Sequence, residues 1–321
     1  MSGRLIGLLW AAAALCSAQE GKVTRADSAF DRIVPPGARI EKLGGGFGFT
    51  EGPLWVKPGF LLFSDIPNNT IRKWSPAEGF SVFRPRAGAP PGQALAGPNG
   101  LTLDRQGRLI ACEQVGRRVV RIGRDGSLTV LAERFEGKRL NSPNDVVARS
   151  DGSLYFTDPP YGLPKQDADP ARELPFCGVY RLAGGKLQLL YKELSRPNGI
   201  AFSPDQKTLY VANSDAARMI WMRFDVARDG MLRNGKVFYD ATGQSGDGGP
   251  DGMKVDTRGN LYCTGPGGIW VFSPAGKHLG TIQPPEVAAN CAWGGADGKT
   301  LYITARTGLY RIRLDVTGVR P

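Results

Sequence analysis

Arg196-Pro-Asn-Gly-Ile-Ala-Phe-Ser-Pro-Asp205, followed closely by Leu209-Tyr-Val-Ala-Asn213, is one copy of a unit that recurs along the chain. A polar residue stands just ahead of a short apolar strand at six places: Glu51, Asn99, Asn144, Asn198, Asp251 and Asn290. Four of these follow a proline (Pro98, Pro143, Pro197 and Pro250). Each opening is followed by a second strand, as in Leu154-Tyr-Phe-Thr-Asp158 and Leu301-Tyr-Ile-Thr-Ala305. Asp-led turns such as Asp104-Arg-Gln-Gly and Asp256-Thr-Arg-Gly introduce most of them, because Asp caps its own backbone and Gly accepts positive φ. Third strands follow, including Gly178-Val-Tyr-Arg-Leu and Gly308-Leu-Tyr-Arg-Ile. Their alternation and β-branched or aromatic content argue strand over helix.

The units recur at roughly 40 to 55 residues, the spacing of four-stranded propeller blades. A fourth strand closes every unit except the last, after which the chain soon ends. The missing strand is supplied by Ala38-Arg-Ile-Glu-Lys-Leu43, ahead of the first polar residue. Pairing of the N-terminal strand with the last blade closes the ring and removes its exposed edges. The predicted fold is therefore all-β, a six-bladed β-propeller of four-stranded blades, with residues 38–316 as one domain and 19–37 as its lead-in.

Residues 1–18 differ from the rest. Arg4 precedes an apolar run from Leu5 to Cys16, and small residues follow to Ala18. That order predicts a secretory signal cleaved near Ala18 and an exported protein, periplasmic or secreted. No segment has the length of a membrane span. Cys112, Cys177, Cys263 and Cys291 match no zinc spacing, and sequence assigns them no disulfide partners. The formal charge of +11 is spread over turns and outer strands with no basic helix or basic-aromatic motif. Nucleic-acid binding is not expected from that distribution.

In a radial array the six polar positions point at one axis, so their side chains form a ring of oxygens. Second strands return to the same face, which also brings Asp65, Glu113, Asp158 and Asn213 toward it. Such a mouth suits a hard cation, since calcium takes Asp, Glu, Asn and water oxygens. With His278 as the sole histidine, a three-His zinc centre is excluded and a Ser-His-Asp triad disfavoured. Asn99 and Asn290 also fit ordinary Asx turns. Glu51 and Asp251 place formal charge where the other units carry an amide, and two such buried carboxylates repel unless a cation or proton intervenes.

Thr50-Glu-Gly-Pro-Leu-Trp55, Asn141-Ser-Pro-Asn-Asp-Val-Val147, Tyr155-Phe-Thr-Asp-Pro-Pro-Tyr-Gly162, the segment 196–204 and Gly249-Pro-Asp-Gly-Met253 together resemble the SMP-30/gluconolactonase (regucalcin-like) family, its bacterial gluconolactonases in particular. The resemblance implies a propeller with one divalent cation in the central channel, Ca2+ first and Zn2+, Mn2+ or Mg2+ as alternatives. It places metal ligands at Glu51, Asn198 and Asp251, with Asn144 as a further ligand or substrate contact. Ser142 stands where some animal members have Arg and Gln114 where bacterial gluconolactonase-like sequences often have His, and the channel histidine that related phosphotriesterases have near the segment of Asn290 is absent.

The expected activity is hydrolysis of glucono-1,5-lactone or a related aldonolactone, a small sugar lactone. Asp251 is the expected catalytic base, and Asn99, Asn144, Asp158, Tyr161 and Glu113 are the expected substrate contacts. Another lactone, ester or phosphotriester is the alternative substrate, and a non-catalytic, calcium-stabilised binding propeller is the alternative class.

Overall fold

The computed structural model describes residues 21–57, 59–88 and 97–321. The predicted signal segment and its cleavage point near Ala18 lie outside them. The chain forms six four-stranded antiparallel blades around one axis, as the repeat predicts. In blade one the strands run Thr50–Val56, Phe60–Asp65, Thr70–Ser75 and Gly79–Pro85, from the axis outward. Blade six is closed as expected: Glu41–Gly45 pairs antiparallel with Gly308–Arg313, opposing Glu41 to Arg311. The lead-in does more than the sequence suggested. Lys22–Arg25 adds a fifth strand to blade five by pairing with His278–Gln283, and the 3-10 turn Ser28–Arg32 buries Phe30 against that blade.

Six hydrophobic clusters sit between neighbouring blades. Each buries the apolar faces of two sheets against one another, so no blade is stable without its neighbours. Across the closing interface Trp55 of blade one stacks on Tyr302 of blade six, with centroids 5.2 Å apart. The Asp-led turns behave as their chemistry requires: Asp104, Asp151, Asp205, Asp256 and Asp297 each accept a backbone N–H two residues on. Cys112, Cys177, Cys263 and Cys291 are free and buried. His278 opens the fourth strand of blade five, inside the added Lys22–Arg25 strand, its ring stacked on Trp270 at 4.6 Å. Among the described residues no helix is long and apolar enough to cross a membrane.

Two devices set the axis. The innermost strands of blades one, two, four and six each slip register beside the polar position, between Glu51 and Leu54, Pro98 and Leu101, Pro197 and Ile200, and Ala288 and Asn290. A bulge re-aims the side chain next to it, here at the mouth of the channel. Hydroxyls of second strands then tie blade to blade. Ser64 donates to the Asn99 carbonyl at 2.6 Å and Thr157 to that of Asn198 at 2.7 Å. Glycine permits the close approach that results: a Cβ on Gly199 would lie 2.1 Å from the Asp251 carbonyl oxygen.

Candidate active site

A cavity of about 370 Å³ opens at the mouth where the polar positions converge. Glu51, Asn144, Asn198 and Asp251, the four expected ligands, all line it, together with Asn99 and Tyr161. The sixth polar position, Asn290, does not line the cavity. Its Nδ2 donates to Glu51 Oε2 at 2.8 Å, while its Oδ1 accepts the Cys291 N–H, which fixes the amide's orientation. Asn290 therefore aims Glu51.

Asn198 is aimed by the same logic. Ser214 commits its proton to the Pro250 carbonyl at 2.5 Å, so its oxygen can only accept from Asn198 Nδ2, 2.8 Å away. That leaves Asn198 Oδ1 free of Ser214. Asp251 is half-buried, and its backbone N–H is held by Thr264 Oγ1 at 2.7 Å.

Burial raises the carboxyl of Asp251 well above the ordinary range, and the charges of Glu51 and Asp145 add to the effect. Burial likewise lifts Glu51 to about 7, against the pull of the Gly52 N–H and Asn290. Asp145, unremarked in the sequence, is a third buried carboxyl at this level. Its oxygens accept the N–H groups of Val146 and Ile200. Removal from water raises its pKa too. Tyr161 is pushed up to about 12 by burial and by the Asp251 charge, so its hydroxyl keeps its proton as a donor.

Glu113 and Asp158 do not line this cavity. The topology brings them to the correct face, but both are consumed by structure. Glu113 pairs with Arg118 at 2.5 Å. Asp158 accepts the N–H groups of Asn141 and Ser142 at 2.8 and 2.7 Å. Asp65 and Asn213 are pinned similarly, to Gly48 and Arg72 and to Arg196 and Arg218. Among the wall residues to which the sequence assigned no site role are Phe49, Ile66, Gln114, Ser214 and Met219. Gln114 follows the second strand of blade two, and Ser214 that of blade four, so a search one residue beyond each second strand would have found both.

Among the described residues no three His, Cys, Asp or Glu side chains form a metal cluster. A cation here would be held by two carboxylates and amide oxygens. Buried Glu51 and half-buried Asp251, whose proton affinity the Glu51 charge raises, beside the oriented amide of Asn198, fit a hard divalent ion.

The sequence model of the SMP-30/gluconolactonase/LRE-like region matches residues 49–307. A gluconolactonase of Zymomonas mobilis is 39% identical over 315 residues, covering 93% of this chain and 87% of that protein. A regucalcin of Xenopus laevis is 28% identical over 305 residues, covering 84% of this chain and 93% of its own. The solved structure of a gluconolactonase from Xanthomonas campestris superposes with a TM-score of 0.79 at 34% identity, covering 92% of this chain and 95% of that one. By the reach of that match and the identity of these relatives, the chain belongs to the SMP-30/gluconolactonase/LRE-like family.

Proposed function

We propose that this protein, a lactonase of the carboxylic-ester hydrolase class by its relatives, opens glucono-1,5-lactone or a closely related aldonolactone, assisted by one divalent cation, calcium by preference. The observation that carries the reading is the convergence of Glu51 and Asp251 with Asn198 and Asn144 in a single axial cavity. Glu51, Asn198, Asp251 and Asn144 would hold the cation, whose chemistry when bound is to polarise the lactone carbonyl.

The chain's own groups supply the remainder. Asp251 reaches the cavity half-exposed, placed to take a proton from the attacking water at its carboxylate oxygen. Asn290 and Ser214 hold Glu51 and Asn198 still, so no reorganisation is needed as charge develops. The neutral donors and acceptors of Asn99, Gln114 and Tyr161 line the wall on which ring hydroxyls would rest. Water adds to the acyl carbon, the ring C–O bond breaks, and the ring oxygen leaves as a hydroxyl of the open acid.

Initial rates on glucono-1,5-lactone, galactono-lactone, an aryl ester and a phosphotriester test this reading. They are measured by pH-stat with metal-stripped protein and after calcium, zinc, manganese or magnesium is restored. Metal-restored turnover greatest on the aldonolactones is expected; turnover only on the ester or phosphotriester would overturn the substrate assignment.

A further inference from the structure

The same six innermost strands that carry oxygens at one mouth carry hydrocarbon at the other. There, Leu54, Leu101, Val146, Ile200, Val255 and Trp293, one from each blade, line a second cavity of about 290 Å³. The two cavities are separated where the strands crowd the axis. A Cβ on Gly52 would stand 2.0 Å from the Asn99 carbonyl oxygen, and buried Asp145 occupies the same level.

The rim of the second cavity is basic. Arg105, Arg149, Lys254 and Arg320 all line it. Asp104 is the single acidic side chain in the lining, and it is already engaged by Arg108 Nε at 2.7 Å. Arg149 pairs with Asp151 and Arg320 donates to the Gly295 carbonyl. Arg105 is exposed and takes part in no ion pair among the described residues; Lys254 Nζ donates to the Met253 carbonyl, and its charge already acts on the buried carboxyls of Asp145 and Glu51. A solvent-reached pocket with an apolar wall and an uncommitted cation, Arg105, at its edge is complementary to one kind of molecule. The wall favours a hydrocarbon body, and the cation favours a single anionic head that stays at the edge.

We infer that the lower mouth of the channel is a second binding site, for an amphipathic organic anion such as a medium-chain carboxylate, distinct from the lactone cavity. The hydrocarbon tail lies between Phe202, Leu103 and Trp293, and the carboxylate meets Arg105 at the rim. The site rests on the lower cavity alone and stands whichever substrate the upper cavity takes.

Isothermal titration of the intact protein with octanoate, 1-octanol, octyltrimethylammonium and acetate tests it. Octanoate is expected to bind saturably at one site, and 1-octanol about tenfold more weakly for want of the charged contact. Acetate and the cationic amphiphile are expected to give no saturable heat. Ala148→Phe, which fills the cavity, should abolish binding of both octanoate and octanol. Arg105→Gln, at an exposed position, should reduce octanoate affinity and leave that of octanol unchanged. Octanoate binding should survive in Asp251→Asn, because that residue lies across the constriction. Binding lost in Asp251→Asn, equal affinity for octanoate and octanol, or binding indifferent to both Ala148→Phe and Arg105→Gln would overturn the proposal.

Discussion

Asn198 Nδ2 lies 2.8 Å from Ser214 Oγ, whose own proton is committed to the Pro250 carbonyl, so the direction of the Asn198 amide is decided by a hydroxyl one blade-edge away. Ser214→Ala removes one of the partners that orient this amide, the Asp251 carboxyl being the other. The substitution is expected to weaken calcium binding by about tenfold, the scale of losing a ligand's supporting hydrogen bond. Thermal stability should change little. Calcium titration of Ser214→Ala and Ser214→Thr checks it, with threonine restoring most of the affinity. Equal affinity in Ser214→Ala would show that the amide is held by other means.

Glu51→Gln keeps the shape and an acceptor for the Gly52 N–H while removing a buried charge. Because burial makes ionised Glu51 costly, the metal-free variant is expected to be more stable than its parent by about 2 kcal/mol at pH 8. Calcium should then stabilise the variant far less than it stabilises the parent. Thermal melts with and without calcium measure both quantities.

Glu51 and Asp251 hold protons more tightly folded than unfolded. Their contribution to the metal-free protein is therefore complete below the ordinary carboxylate range, and it falls away as pH rises through about 7 for Glu51. Cations compete with those protons. The calcium-induced rise in Tm is expected to be small at pH 5 and to grow up to pH 7 or 8 in a series of melts. A calcium effect constant across that range would mean that these carboxyls are already ionised at acid pH.

The repeat made the architecture legible because each blade restates the same chemistry, down to the Asp-led turn and the N-terminal strand that closes blade six. It also named the four wall residues Glu51, Asn144, Asn198 and Asp251, since equivalent positions share one axis. It misplaced Glu113 and Asp158. A polar residue at a strand end reads alike whether it faces a cavity or caps a neighbouring loop, and the deciding partners, Arg118 and the Asn141 and Ser142 amides, are set by tertiary structure. The bulges that turn Glu51 and Asn198 inward leave no mark beyond the glycine that follows each. The fifth strand of blade five was hidden because Lys22–Arg25 has no alternating apolar face to advertise it.

One such glycine supports a stability prediction. Gly199→Ala would drive a methyl group into the Asp251 backbone carbonyl and force two innermost strands apart. Overpacking against backbone, which cannot rotate away, is expected to cost about 3 kcal/mol or more and to lower lactonase activity with it. Urea melts of the variant measure the loss.

The central claim is that Asp251 is the base that activates water in the axial cavity, and the turnover of Asp251→Asn on glucono-1,5-lactone tests it most directly. Assayed at saturating calcium beside the parent, the folded variant is expected to lose kcat by about a thousandfold, within the range of losing a general base. A folded, metal-saturated variant that retains most of its kcat would contradict the account.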